Sequence, residues 1–287
     1  MDKTITDDNI TLVKLGGAIL TDKRSTCTTA PDSQWTGIFE QVANVYKHHN
    51  QNLILIHGVG SFGHPQAKKY SVRDGVAHDA TKDMRKGVCL THAAVLELHS
   101  LVIKTLIGMS IPAVSVTPFD HVVTSGGIDA TTSTSFERMC HRAHVLLQQG
   151  YVPVLHGDVV MDDIQYCTIL SGDVIMRELS KYIPSVKRCV FVTDVDGVFD
   201  KDPKTHADAE LLTDLSTAHQ FDQASSSSSS AADVTGSMHG KVKWARRIVE
   251  DSPGNKEVII CRQGTKASTK AMSGTPISSS QRMTVVK

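Results

Sequence analysis

Short, dense apolar runs alternate along this chain with longer stretches in which apolar and polar residues recur at helical spacing. The short runs are Thr11–Leu15, Leu53–His57, Ala113–Thr117, Val152–Leu155, Cys189–Thr193, Glu257–Ile260 and Met283–Val286. Many are rich in Val and Ile, as strands buried on both faces of a parallel sheet are. The longer stretches predict helices at Trp35–His49, Asp79–Ile107, Ser135–Gln149, Val174–Lys181 and Gly240–Asp251. Strands alternating with helices predict βαβ units, hence an α/β fold whose mostly parallel sheet is covered on both faces. Right-handed crossovers then bring the loops that follow the strands to one edge of the sheet. Ser225–Ser230, followed by Ala231 and Ala232, breaks the pattern. It cannot pack a core and reads as a loop, either a lid or a surface insertion.

Glycines cluster just after the predicted strands. The most conspicuous set is Gly58-x-Gly60-x-x-Gly63 behind Leu53–His57, which has the spacing of a dinucleotide fingerprint. That fingerprint belongs in the first βαβ unit, with an acidic residue ending the next strand about 20 residues later. Here it follows the second strand, and the acid at that distance, Asp83, lies in a polar helical stretch. A nicotinamide cofactor is therefore a poor match. Other loops share the build: Gly16-Gly17 with Lys14 before and Lys23 after, Gly157-Asp158, Gly172-Asp173, Thr193-Asp194 running into Asp196-Gly197, and Gly236 and Gly240 before Lys241. Glycine lets backbone approach a ligand, and free N–H groups at a helix start favour an anion. Each loop alone reads as a turn. Together, on one sheet edge, they suit a chain of phosphates. There is neither a GxxxxGK[ST] nor an HRD…DFG set, so neither a P-loop nor a protein kinase is indicated.

Composition narrows the classes further. The 287 residues carry 30 Lys+Arg and 30 Asp+Glu, and without a basic run no nucleic-acid surface is expected. Apolar runs of strand length fall far short of the roughly 20 residues that span a bilayer, so no membrane is expected either. The start, Met1-Asp2-Lys3-Thr4, lacks a signal-peptide pattern. Six scattered cysteines contain no CxxC pair and suggest a reducing cytoplasm rather than a disulfide framework or zinc site. Fourteen histidines include no HExxH, and most read as solvated or hydrogen-bonded rather than metal-ligating.

The ordered set KLGGA…TDK, HGVGSFGHP, HGDVV, SGDV, TDVDGVF and TGSMHGK resembles the amino-acid kinase superfamily over roughly residues 10–287. The loop ending in His64 resembles its isopentenyl phosphate kinase branch, because carboxylate-phosphorylating members lack the GSFGH ending. The resemblance implies a three-layer αβα sandwich, a carbamate kinase-like fold. It implies one domain over 1–287, with an acceptor lobe to about 180 and a nucleotide lobe over 181–287. It implies transfer of a phosphoryl group from ATP, with Mg2+ carried mainly by the nucleotide, to a small prenyl phosphate. The acceptor alternatives are another phosphate or a phosphonate such as fosfomycin, and a ligand-sensing relative is a further class. A homodimer is expected.

The same resemblance assigns Lys14, Lys23, His64, Asp158 and Lys241 to catalysis, with Asp158 holding Lys14 by ion pairing. It sets Gly58, Val59, Ser61, His64 and Gly157 around the acceptor. It sets Lys14, Leu15, Gly16, Gly17, Ala18, Gly60, Asp173, Thr193, Asp194, Gly197, Gly236 and Lys241 around ATP, with no metal ligands from the protein. Met84, Val88 and Leu90 are either a wall of the prenyl pocket or plain core. The chain departs from the family pattern at Ala18, Val59, Val174 and Ser237. Val59 matters most, since a branched side chain restricts a loop whose amides face substrate.

Overall fold

The computed structural model describes residues 9–75, 83–201, 203, 205–215, 238–252, 256–278 and 281–287. Its strands are β1 (Ile10–Leu15), β2 (Leu53–His57), β3 (Ala113–Ser115), β4 (Val123–Thr124), β5 (Val152–His156), β6 (Asp158–Asp162), β7 (Tyr166–Leu170), β8 (Val186–Thr193), β9 (Val198–Phe199), β10 (Leu211–Leu212), β11 (Glu257–Arg262) and β12 (Thr284–Val286). Its α-helices are α1 (Gly17–Leu20), α2 (Asp32–His48), α3 (His64–Lys69), α4 (Met84–Gly108), α5 (Glu137–Gln148), α6 (Gly172–Tyr182), α7 (Met238–Glu250) and α8 (Lys266–Met272).

All seven predicted apolar runs join one sheet, in the order β12-β11-β8-β1-β2-β5-β3. Every pairing is parallel except β11 with β12. The chain leaves β1 toward β2, β3 and β5 on one side and returns to β8 and β11 on the other. The strand order therefore reverses at β1, where an open α/β sheet leaves a crevice beyond its strand ends.

Strand periodicity sorts side chains into two cores. Leu12, Ile54 and Ile56 face a layer formed by α5, α6 and α7. Val13, Leu15, Leu53 and Leu55 face α2, α4 and α8. This is the three-layer αβα sandwich. It also fixes the polar residues at the strand ends. Lys14 shares the Leu12 face and points toward α6, whereas His57 and His156 share the face covered by α4.

The helix predicted over Asp79–Ile107 starts at Met84, capped by the Asp83 side chain accepting from the Lys86 N–H (3.0 Å); residues 79–82 lie outside the described residues. Among the described residues α4 alone is long and apolar enough to cross a membrane. Its inner face, with Leu98, Val102 and Leu106, is packed into the core. Met84 and Val88 belong to a small core with Val72, Val159 and Cys167, and Leu90 is exposed. The first two are thus core residues, and Leu90 is not part of that core. The Ser225–Ser230 segment and Gly236 lie outside the described residues.

The β6–β7 hairpin and α8 were not predicted. The hairpin carries its own anchor. Asp162 is buried and accepts from the N–H groups of Gly126, Gly127, Ile164 and Gln165 at 2.8–3.0 Å and from the Thr124 hydroxyl at 2.7 Å. Burial alone would raise its carboxyl. The donors from Gln165, Gly127, Thr124 and Gly126 outweigh burial and hold it below the usual carboxylate range. Asp162→Ala should therefore destabilise the fold by about 2–4 kcal/mol in urea unfolding, since several buried N–H groups lose their acceptor. With the folded-state pKa depressed, the stabilisation is present above about pH 4 and is lost as pH falls through the folded value. The variant should lack that acid-dependent part.

Candidate active site

The loops after β1 and β2 meet backbone to backbone at the reversal of strand order. A Cβ on Gly17 would lie 2.6 Å from Gly60 N, and one on Gly58 would lie 2.5 Å from Gly17 N. No side chain fits at either position. Hydrogen bonds lock the contact: the Gly58 N–H donates to Leu15 O (2.9 Å), the Thr21 hydroxyl to Gly17 O (2.8 Å), and the Ser61 N–H to Thr21 Oγ1 (3.0 Å). Next to them the Gly16 N–H donates to Val192 O (3.0 Å), and the Gly157 N–H to His57 O (3.1 Å). These amides hold loops together. In the turns just after β1 and β2, the amides without an acceptor among the described residues are those of Gly17 and Ala18, which open α1, and those of Val59 and Gly60, which open the 3₁₀ turn Gly60–Phe62. They are the donors available to an anion.

Lys14 is the last residue but one of β1, just before the first of these loops. Although part of a strand, it is buried, and its ammonium ion-pairs with the Asp173 carboxylate and sits 5.8 Å from the Phe191 ring centroid. The side chain crosses the start of α6 where Gly172 leaves room; a Cβ there would lie 2.9 Å from Lys14 Cε. Ser171 caps α6 by accepting from the Val174 N–H (3.4 Å). The expected Lys14–Asp158 pair is not the one formed. Asp173 follows Gly172 at the helix start on the face that Lys14 shares, and it takes the ammonium.

Asp158 instead accepts from His92 Nδ1 on α4 (2.9 Å) and from its own following amide, the Val159 N–H (2.8 Å). His156 Nδ1 is 3.7 Å away. Burial pushes the Asp158 carboxyl up, opposed chiefly by the hydrogen bond from His92. That hydrogen bond holds His92 above its ordinary value against partial burial. His92 also stacks on Phe119, with centroids 4.4 Å apart. Sequence reasoning passed over His92. The available signal was its seven-residue spacing from His99, which places both on one helix face.

The remaining expected residues divide. His64 is exposed at the first position of α3, with one residue between it and the buried Gly60-Ser61-Phe62 turn. Val59 is buried against Gly63, where a Cβ would meet it at 2.8 Å. The Ser61 hydroxyl is not a free donor: it donates to Thr28 O (3.0 Å) and accepts from the Thr28 N–H (3.3 Å), tying down the loop that carries exposed Lys23. Thr193 ends β8 and donates to Asp194 (3.1 Å). Gly197 is packed against Thr284, and Lys241 is buried in the first turn of α7.

The sequence profile described as "Amino acid kinase family" matches residues 9–262. The isopentenyl phosphate kinase of Methanothermobacter thermautotrophicus is 32% identical over 83% of this chain and 86% of its own. That of Methanocaldococcus jannaschii is 34% identical over 83% and 87%. The chain belongs to the isopentenyl phosphate kinases of the amino acid kinase family. A solved isopentenyl phosphate kinase structure superposes with a TM-score of 0.76 at 26% identity, covering 97% of this chain and 100% of that one. In this isopentenyl phosphate kinase family member the Val59 departure is accommodated, because Val59 takes a right-handed helical conformation (φ −96°, ψ −21°) that a branched residue adopts without strain.

The His92–Asp158 pair has a pH signature. With its folded-state pKa raised, His92 contributes stability that is full below about pH 6.5 and is lost as pH rises through the folded value. His92→Gln keeps a donor but no titrating charge. The difference in Tm between wild type and variant should be largest near pH 6 and should shrink toward alkaline pH in a thermal-shift series.

Proposed function

We propose that this chain transfers the γ-phosphoryl group of ATP to isopentenyl phosphate, giving isopentenyl diphosphate and ADP. The observation that carries the reading is the cradle of unpaired amides at Gly17, Ala18, Val59 and Gly60, with Lys14 near the end of the strand that leads into it and His64 opening the helix that leaves it. The acceptor is a phosphate monoester whose second pKa is near 6. It is largely dianionic at neutral pH, so no general base is needed to make a nucleophile. The task is to bring two anionic phosphates together, through positioning and charge neutralisation.

The roles are assigned as follows in this reading. Lys14 neutralises charge on the transferring phosphoryl group, and Asp173 orients it. The Gly17 and Ala18 amides serve the ATP phosphates, with Lys23 and Lys241 adding positive charge, and Thr193, Asp194 and Gly197 lie on the nucleotide side. The Val59 and Gly60 amides and His64 serve the acceptor phosphate, and Gly157 borders that side. Asp158 positions His92 rather than Lys14. Residues to about 180 form the acceptor lobe, which also lends Gly17, Ala18 and Lys23 to the ATP phosphates, and residues 181–287 form the nucleotide lobe. In this reading Mg2+ arrives with the nucleotide and is held mainly by phosphate oxygens and water. When bound, it would neutralise phosphate charge.

The chain works as a homodimer in this reading. α4 exposes Leu90, Leu96, Leu101 and Ile107, the last at 55%, as two apolar pairs that flank exposed Glu97, Ser100 and Lys104, and a second copy would cover them. The six cysteines are free, which supports a cytoplasmic setting.

ADP release measured with isopentenyl phosphate, dimethylallyl phosphate and fosfomycin tests the reading; turnover of fosfomycin alone would refute it. Lys14→Ala should lower kcat by about a hundredfold or more, because it removes charge that counts most in the transition state. His64→Ala should raise KM for the prenyl phosphate or lower kcat, while leaving KM for ATP nearly unchanged. Light scattering should give twice the chain mass, and Leu101→Asp with Ile107→Asp should give a monomer.

A further inference from the structure

Three histidines that the transfer itself does not require fill the space between the ends of β2 and β5 and the underside of α4. His57 and His156 are the last residues of neighbouring strands and stand in register. His99 lies over both, with ring centroids 5.2 Å from His57 and 4.4 Å from His156. All three are buried.

Their contacts form an ordered line: His57 Nδ1 lies 3.1 Å from Gly58 O, His57 Nε2 lies 2.9 Å from His99 Nδ1, and His99 Nε2 lies 2.7 Å from the Ser115 hydroxyl. The proton positions follow. A carbonyl oxygen only accepts, so His57 Nδ1 carries a hydrogen. In a neutral ring Nε2 then accepts, so His99 Nδ1 donates, His99 Nε2 accepts, and Ser115 donates. Burial keeps the rings neutral, lowering His57 to about 4 and, with the His57 ring adjoining, His99 to about 3. His156 repeats the outer contact one strand away, with Nδ1 3.1 Å from Gly157 O.

In a planar trans peptide the C=O and the following N–H point in opposite directions. Once His57 holds the Gly58 carbonyl inward, the Val59 N–H faces away from the imidazoles, and it is one of the cradle amides that lacks an acceptor. We propose that His57 is a positioning residue: through the Gly58 carbonyl it aims the Val59 amide at the acceptor phosphate, and His99 and Ser115 fix the tautomer that lets it do so. The inference rests on the acceptor reading above and deepens it. It also explains how a valine serves in this loop. Orientation comes from a clamp on the preceding carbonyl, so the loop does not depend on glycine freedom at 59.

Two substitutions separate the clamp from simple packing. His57→Asn retains a donor near the place of Nδ1, whereas His57→Gln places its amide near Nε2. Steady-state kinetics should show KM for isopentenyl phosphate raised about ten- to a hundredfold in His57→Gln, the scale of one lost hydrogen bond to a charged group. The rise should be much smaller in His57→Asn, with KM for ATP unchanged in both. Equal rises in the two variants, or parallel rises in both KM values, would overturn the proposal while wild-type turnover upheld the proposed function. A wild type inactive on isopentenyl phosphate would overturn the function and the acceptor role of Val59 with it. Nitrogen-15 spectra of the wild-type imidazoles need no substrate. They should show His57 protonated at Nδ1 and bare at Nε2, unchanged between about pH 5.5 and 8. The opposite tautomer, or titration in that range, would overturn the clamp whether or not the variants fold.

Discussion

The contact between Gly17 and the Gly58–Gly60 segment is the constraint on which the site depends. It is a backbone-to-backbone approach at the point where the strand order reverses, and it leaves no volume for a Cβ on either side. With side chains excluded, the two loops converge, and their unpaired amides share one small space. The parallel register aligns Leu15 with His57 and His57 with His156, so the three loops beyond them start at one level. The cradle is therefore a product of sheet topology as much as of the glycines.

Electrostatics completes what the backbone begins. Two anions repel, and amides carry only partial charge, so a full positive charge must be fixed close by. Lys14 supplies it from within a strand, where packing over Phe191 and pairing with Asp173 leave it little freedom. A buried ammonium is costly unless paired, and Asp173 meets that cost. The second carboxylate, Asp158, has a separate partner in His92. The two acids thus serve different faces of the sheet.

Much of this was legible in the sequence. The seven strands of the main sheet announced themselves as Val- and Ile-rich runs, and the glycine loops marked the site because glycine after a strand recurred in one order. The β6–β7 hairpin was not legible, because its turn, Asp163-Ile164-Gln165, lacks the Gly or Asn signals of a tight hairpin. It is built instead on the Asp162 carboxylate gathering amides from two loops. The partner of Lys14 was also beyond local reading. Asp158 and Asp173 both follow a glycine, and only the three-dimensional placement of α6 beside β1 distinguishes them. The buried histidines looked unremarkable in one dimension. Their shared orientation depends on strand register and on α4 lying above them.

The two-residue period of β1 has a consequence of its own. Lys14 faces α6, and Leu15, its neighbour, faces the opposite core. Removing one residue from the middle of this strand would rotate the ammonium to the other side of the sheet and drive a leucine against the Asp173 carboxylate. Replacing a side chain changes a single contact. Sliding the strand by one position would exchange the chemical character of both layers together, so the loops can vary in length where this strand cannot.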